Sequence, residues 1–279
     1  MPVDVGQPPW TREELVAALP AFEDVYARRP IRDNQGGMKA PHMFATWFIA
    51  RHLAPELIIE SGVFRGQSTW LLEQACPAAR IVAIDPNLTV REYVSPRVSY
   101  HTTDFSALDW SGLRGRPVLA FFDDHQNAYT RLQQCAWFGL RDVIFEDNYP
   151  AGRGDCYSLK KALAGAGFQP AGAKSPRRAK LASRLAKVVA GSGSGMPAFQ
   201  RNQVAPNLHD AAMLRDNLEI YHELPPVFAP ERTRWGGPWD HAELDPAAPL
   251  LDAAERERHP VLWEEAEHYT YICYARLAR

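Results

Sequence analysis

Between residues 55 and 170, short apolar runs alternate with segments of helical periodicity, and this alternation limits the chain to few folds. Several of the runs are continuously apolar, which is typical of parallel strands covered on both faces. We predict five strands: LII at 57–59, IVAI at 81–84, VSYH at 98–101, VLAFF at 118–122 and DVIF at 142–145. Strands and helices in this order predict a doubly wound, mostly parallel α/β sheet.

The flanking segments are predicted to complete a single domain of 279 residues around this Rossmann-like core at 55–170. Residues 1–54 predict a helical cap, because Thr11 and Glu14 form a capping-box pattern and HMFATWFIARHL has helical spacing. Residues 171–216 hold a basic stretch at 174–187 between Pro/Gly/Ser-rich ends, which indicates an insertion or lid. In 217–279, LEIYHELPPVF and HYTYICYARL are predicted to pair as the last strands.

Composition excludes several classes of protein. A formal net charge of −2 lacks the basic footprint of a nucleic-acid-binding domain, so we expect no nucleic-acid partner. The 4 cysteines lie far apart, which argues against a zinc site and against a disulfide framework. The start MPVDVGQPPW lacks the features of a signal peptide, and no apolar run approaches the ~20 residues of a membrane span. We therefore expect a cytoplasmic protein; its oligomeric state is open, and a homo-oligomer is compatible with the sequence.

Each predicted strand is followed by polar residues, and the carboxyl ends of parallel strands are where open α/β sheets bind ligands. In chain order these residues are Glu60, Asp85, Asp104, the group Asp123, Asp124 and His125, and the group Glu146, Asp147 and Asn148. Polar loops after single strands are common, whereas five in a row along one edge of the sheet indicate a binding site. The segment DNQGGMK at 33–39 could close over it or be a simple loop.

The first loop, IIESGVFRGQSTW, carries Gly62 and Gly66 between a strand and a helix. Glycine allows positive φ and close backbone approach, and the helix start offers free N–H groups to a carboxylate or phosphate. The spacing Gly-x-x-x-Gly lacks the middle glycine of the dinucleotide fingerprint, which disfavours ordinary pyrophosphate binding. A ligand loop and a tight structural turn both remain open. Asp85, about 20 residues on, could hold the two hydroxyls of a ribose or serve as a turn residue in Asp-Pro-Asn.

These residues resemble the class I S-adenosylmethionine-dependent methyltransferases over roughly 55–170. ESGVFRGQS is similar to their Glu-x-Gly-x-x-x-Gly-x-Ser loop, AIDP to the segment with the ribose-binding acid, and TTDFS to the one with the acid beside the adenine. The resemblance implies that S-adenosylmethionine is the cofactor. The residues that it implies for binding are Glu60, Gly62 and Gly66 around the methionine, Ser68 on its carboxylate, Asp85 on the ribose and Asp104 by the adenine.

The two acidic groups after the fourth and fifth strands predict a divalent cation. Two carboxylates about 4 Å apart repel by about 4 kcal/mol at an effective dielectric of 20, so their convergence needs a cation or protons. Not all four acids need converge, because adjacent residues can point apart. Oxygen ligands suit Mg²⁺. Salt bridges and helix caps at the strand ends are the alternative interpretation.

The same groups resemble the metal-dependent small-molecule O-methyltransferases of the catechol and macrolide-sugar kinds. That resemblance implies Mg²⁺ ligands at Asp123, Asp147 and Asn148. In the sugar-modifying enzymes a histidine three residues after the first Asp is the general base, whereas His125 is only two residues after Asp123. His125 would take the proton of a substrate hydroxyl whose pKa the metal lowers; a lone histidine is otherwise more often structural.

The sequence thus predicts an enzyme that transfers a methyl group from S-adenosylmethionine to a hydroxyl of a small molecule, with Mg²⁺ assisting and Asp123 and His125 as catalytic residues. One alternative is a metal-dependent hydroxylase or hydrolase on the same scaffold. Another is a non-catalytic ligand-binding protein that kept the fold. The identity of the acceptor is not encoded in any motif that we find.

Overall fold

A computed structural model describes residues 6–169, 203–234, 236, 239 and 248–279. The basic stretch at 174–187, and with it most of the predicted lid, lies outside these residues. Among those that are described, no helix has the length and apolar character needed to cross a membrane.

The elements follow the predicted order. The strands are β1 (Leu57–Ser61), β2 (Arg80–Ile84), β3 (Val98–His101), β4 (Val118–Phe122), β5 (Asp142–Phe145), β6 (Leu218–Glu223) and β7 (Cys273–Leu277). The main helices are α1 (Arg12–Tyr26), α2 (Ala40–Leu53), α3 (Gln67–Ala75), α4 (Ala128–Phe138), α5 (Leu159–Leu163), α6 (His209–Asn217) and α7 (Pro260–Glu264). The predicted capping box begins α1, where Thr11 and Glu14 exchange hydrogen bonds between side chains and backbone.

The seven strands form one sheet in the order β3-β2-β1-β4-β5-β7-β6. Strands β1 to β5 are parallel, and β7 is antiparallel to both of its neighbours. The chain therefore starts at the middle of the sheet, winds outward to β3, and returns to wind outward on the other side of β1. The predicted doubly wound, mostly parallel α/β fold is confirmed, as is the pairing of the two C-terminal strands.

Successive strand residues face two separate cores, as expected for a sheet covered on both sides. Ile58 packs in a core with α1, α2 and α3, whereas Ile59 packs in a second core with α4, α5 and α6. Almost all of α2 is buried, so the N-terminal helices form part of the main core.

The register of the sheet determines where the polar loops meet. Phe122 at the end of β4 is level with Ser61 at the end of β1 and with Phe145 at the end of β5. Asp123 and Glu146, which follow directly, therefore leave the sheet side by side. The predicted binding residues of three neighbouring strands consequently share one edge.

Candidate functional site

Two acids and a histidine converge at this edge. Asp123 and His125 follow β4, Asp147 follows β5, and one possible ligand atom from each lies within 4.8 Å of those from the other two. Within the described part of the chain, they form a group of the kind that can hold a metal ion. The structure thus brings together two of the three predicted metal ligands and the predicted general base.

The carboxylate of Asp147 is buried without an ordinary hydrogen bond. Its residue is only 6% exposed, and neither carboxylate oxygen accepts a hydrogen bond from the described residues. Burial and the charge of Glu146 raise the pKa of Asp147 well above its usual value. Burial, followed by the charges of Glu146 and Asp147, does the same to the pKa of Asp123. The nearby charge of His125 offsets only part of the shift at Asp147. A buried and a half-buried carboxylate side by side fit a cation with oxygen ligands.

His125 sits on a strained turn and contacts two carboxylates. Its φ is +51°, in the left-handed region that non-glycine residues rarely adopt. Its Nδ1 lies 3.0 Å from Asp155 Oδ1 and 3.3 Å from Asp147 Oδ2. The hydrogen bond with Asp155 raises the pKa of His125 to about 9, against the effect of burial. Asp155 was not among the predicted site residues, because it lies in an irregular turn beyond β5.

Asp124 points away from the cluster, as adjacent residues in an extended segment can do. Its Oδ2 accepts hydrogen bonds from Ser61 Oγ at 2.8 Å and from Arg131 Nε at 2.9 Å. Arg131 is buried and also donates to both carboxylate oxygens of Asp104, at 3.0 and 2.7 Å. Burial raises the pKa of Asp104, but the Arg131 contacts outweigh it and lower that pKa. Asp104 is therefore anchored to α4; its place beside an adenine remains a prediction.

Asn148 is fully buried and its amide joins three elements. Its Nδ2 donates to the Tyr221 hydroxyl at 2.9 Å, and its Oδ1 accepts the Lys160 backbone N–H at 2.9 Å. The side chain thereby ties the end of β5 to α5 and β6. Its role as a metal ligand remains a prediction.

Glu146 is held by a histidine that no motif singled out. Its Oε1 lies 2.6 Å from Nδ1 of His42, a buried residue on α2. The Nε2 of His42 accepts the Thr270 backbone N–H at 2.8 Å, so the proton of the neutral ring is on Nδ1 and is donated to Glu146. His42 thus gives one oxygen of Glu146 a hydrogen-bond partner from the N-terminal cap.

Both glycines of the first loop are required by contacts within the protein. A Cβ at Gly62, where φ is +101°, would lie 1.9 Å from the Asp123 carbonyl oxygen. A Cβ at Gly66, where φ is +91°, would lie 2.5 Å from the Tyr93 carbonyl oxygen. The structural-turn interpretation explains both residues. It also packs the glycine loop directly against the backbone of the metal-binding candidate.

Glu60 is completely buried below this loop. Its two oxygens accept hydrogen bonds from Ser68 Oγ at 2.5 Å and Thr69 Oγ1 at 2.6 Å. Burial raises the pKa of Glu60 to about 7, although both hydroxyls lower it. The Ser68 hydroxyl therefore serves Glu60 in this structure, and its contact with a methionine carboxylate remains a prediction.

The raised pKa of Glu60 predicts a pH-dependent stability. Between pH 4.5, where the unfolded carboxyl titrates, and about 7, where the folded one does, only the unfolded chain gives up its proton. Stability should therefore fall as pH rises through this window, by about 3 kcal/mol in total. We expect Glu60→Gln to remove this loss, since an amide can keep both hydroxyl partners. Urea denaturation at about pH 5 and pH 8 measures the loss of unfolding free energy. If Glu60→Gln kept the pH dependence of the wild type, or if the exposed control Glu56→Gln lost as much of it, the effect would not come from Glu60.

Asp85 organises the glycine loop. Its Oδ2 accepts the backbone N–H groups of Val63 and Phe64, both at 2.9 Å, and its Oδ1 accepts that of Asn87 at 2.8 Å. Through Oδ1 it therefore acts as a turn residue, and through Oδ2 it anchors the glycine loop. Binding of a ribose by Asp85 remains a prediction.

A cavity of about 140 Å³ lies against the cluster. Its acidic lining is Asp123, Glu146 and Asp147, with His125 and Tyr149 beside them. The predicted closing segment does line this space through residues 36–39, and Arg234 and His268 complete it. A larger groove of about 670 Å³ is lined by the amino-terminal residues of β4 and β5, at the other edge of the sheet from the candidate site.

No family model matches the chain, and no curated protein matches it. Among solved structures, it is similar to the methyltransferase PaMTH1 of Podospora anserina bound to SAH, with 13% identity, coverage of 99% of this chain and 91% of that one, and a TM-score of 0.43. The O-methyltransferase TomG of Streptomyces achromogenes in complex with SAM is 14% identical over 99% and 93% of the two chains, with a TM-score of 0.39. CmcI-D160 with Mg and SAM is 22% identical over 52% and 69%, with a TM-score of 0.32.

These scores are low, and it is the order and direction of this chain's own strands that establish its fold. PaMTH1 and TomG are methyltransferases whose structures hold SAH and SAM, respectively. They are of the class that the sequence motifs resemble, the S-adenosylmethionine-dependent methyltransferases.

Proposed function

We propose that this chain is an S-adenosylmethionine-dependent O-methyltransferase that acts on a small hydroxylated molecule with the assistance of Mg²⁺. The observation that carries the proposal is the convergence of Asp123, His125 and Asp147 beside the glycine loop. The three residues follow β4 and β5, and the loop follows the neighbouring strand β1. A methyl donor on the loop and a hydroxyl at the acids would then lie next to each other.

The residues present fit a divalent cation. Asp147 supplies two buried oxygens without hydrogen bonds from the described residues, and Asp123 lies in the same group. These two carboxylates would hold Mg²⁺, and Asn148 is the further predicted ligand. When bound, the ion supplies the Lewis acidity that lowers the pKa of a substrate hydroxyl.

In its neutral form, which predominates above its pKa of about 9, His125 would take the proton of that hydroxyl, and the charge of a bound cation would lower that pKa. Asp155 accepts a hydrogen bond from Nδ1 of His125 and so orients the ring. The other ring nitrogen, Nε2, is then the one that would take the proton of the substrate hydroxyl. The substrate oxygen would attack the methyl carbon in line; the new C–O bond forms as the C–S bond breaks, and S-adenosylhomocysteine leaves. Holding the two reactants in line would supply much of the acceleration.

The cofactor would lie along the carboxyl ends of β1 to β3. Glu60, Gly62, Gly66 and Ser68 shape the proposed methionine site. Asp85 and Asp104 are the proposed partners of the ribose and the adenine, and each already anchors a neighbouring loop or helix.

Calorimetric titration with S-adenosylhomocysteine, with and without Mg²⁺, tests the proposal. We expect binding, and we expect Asp85→Asn to weaken it by about ten- to a hundredfold through loss of charge-assisted hydrogen bonds to the ribose. Asp109→Asn is the matched control, since Asp109 lies on an exposed turn.

Absence of binding under both conditions would overturn the methyltransferase proposal. Metal binding without cofactor binding would favour the metal-dependent hydroxylase or hydrolase. Cofactor binding without metal dependence or turnover would favour a non-catalytic binding protein.

A further inference from the structure

The cavity beside the acidic cluster is also lined by three basic side chains from other parts of the chain. Lys39 precedes α2, Arg234 lies between β6 and α7, and His268 lies shortly before β7. Lys39 ends the DNQGGMK segment, whereas Arg234 and His268 belong to no predicted site segment. The fold alone brings them to the space that Asp123 and Asp147 border.

Among the residues that the structure describes, no salt bridge involves Lys39, Arg234 or His268, although the same cavity is lined by three acidic residues. Their electrostatic neighbours there include Glu265 and Glu267 for His268, and Tyr149 for Arg234. The three bases lie near each other as well. Burial lowers the pKa of His268; the charges of Glu267 and Glu265 oppose this shift, and those of Lys39 and Arg234 add to it.

The positive charges of Lys39 and Arg234 at the cavity favour an anion inside it, and His268 adds a ring N–H that can donate to it. A guanidinium binds a carboxylate through two parallel hydrogen bonds, and an ammonium adds a point charge. The acids of the cavity would repel an anion, so its charged group would need to lie at the bases while a neutral hydroxyl lies at Asp123, His125 and Asp147.

We propose that the acceptor is a small hydroxy acid whose anionic group binds Lys39, Arg234 and His268 while its hydroxyl lies at the acidic cluster. This inference rests on the proposed O-methyltransferase function and adds the substrate class. A cavity of about 140 Å³ is close to the ~150 Å³ that holds one benzene molecule, so the acceptor is of single-ring size.

The test compares two probes that differ only in charge, 3,4-dihydroxybenzoate and 3,4-dihydroxybenzamide. Each is titrated into the protein saturated with S-adenosylhomocysteine and Mg²⁺. We expect the acid to bind about ten- to a hundredfold more tightly than the amide, as charge-assisted hydrogen bonds would provide. Arg234→Gln and Lys39→Gln should each reduce this preference, and Arg232→Gln, on the same segment but outside the cavity, should leave it unchanged.

Equal affinities for acid and amide, or a preference for the acid that survives in both variants, would overturn the inference. So would failure of both probes to bind at millimolar concentration. If Arg234→Gln or Lys39→Gln instead weakens S-adenosylhomocysteine binding and leaves the preference intact, the bases serve the cofactor's carboxylate and the inference is wrong. Tight S-adenosylhomocysteine binding in all of these proteins would show that the cofactor site is intact, so a failure of this inference can be told apart from a failure of the proposed function.

Discussion

Asp147→Asn is expected to reduce methyl transfer about a thousandfold, because the substitution removes half of the acidic pair proposed to hold Mg²⁺. A Lewis acid supplies several kcal/mol at the reacting oxygen, and each 1.4 kcal/mol corresponds to about tenfold in rate. The measurement is turnover of S-adenosylmethionine with a hydroxylated acceptor over a range of Mg²⁺ concentrations. Excess Mg²⁺ should not restore the rate.

The same substitution should stabilise the metal-free protein. Asp147 is buried without hydrogen bonds from the described residues and lies close to Glu146 and Asp123, so a neutral amide relieves an unfavourable charge. We expect a gain of about 1–3 kcal/mol, the typical cost of leaving a buried polar group unsatisfied. Thermal denaturation with and without Mg²⁺ should show that the ion stabilises the wild type and the control Asp109→Asn, and has no effect on Asp147→Asn. Equal stabilisation of all three by Mg²⁺ would contradict the assignment of the metal site.

Gly62→Ala is expected to be strongly destabilising, by about 3 kcal/mol or more. The new Cβ would lie 1.9 Å from the Asp123 carbonyl oxygen, and a φ of +101° is itself unfavourable for alanine. Strain of this kind costs about 1–3 kcal/mol, and a backbone contact that cannot move aside adds to it. Urea denaturation measures the loss.

Gly112→Ala is the matched control, since a Cβ there meets nothing within 4 Å. The comparison also tests the coupling between loop and cluster, because any shift that accommodates the added methyl group at Gly62 must move Asp123. We therefore expect Mg²⁺ affinity to fall in whatever Gly62→Ala protein still folds. A Gly62→Ala variant with the stability and Mg²⁺ affinity of the Gly112→Ala control would disprove this packing.

The sheet could be predicted from sequence because its signals are local. Continuous apolar runs, helical spacing and the capping box at Thr11 each depend on residues close together in the chain. The shared edge of the binding residues follows from the fold class, since parallel strands have their carboxyl ends on the same side. For this reason the order of the strands alone leads us to expect Asp123, His125 and Asp147 near each other.

The partners of these residues could not be predicted in that way. Asp123 and Asp124 are adjacent in sequence, yet only the buried Arg131 on α4 decides that Asp124 turns away. His42 reaches Glu146 across 104 positions of the chain, a contact set by the packing of α2 against the sheet.

By itself, the sequence determined the order of the elements, the edge at which a ligand is predicted to bind and the acids that collect there, because periodicity and strand direction are properties of short segments. Only the tertiary structure decided which acids meet at His125, which accept hydrogen bonds from His42 and Arg131, and that Lys39, Arg234 and His268 line the same cavity. Such charge pairing depends on distances of a few ångströms between segments far apart in the chain, and no local pattern encodes those distances.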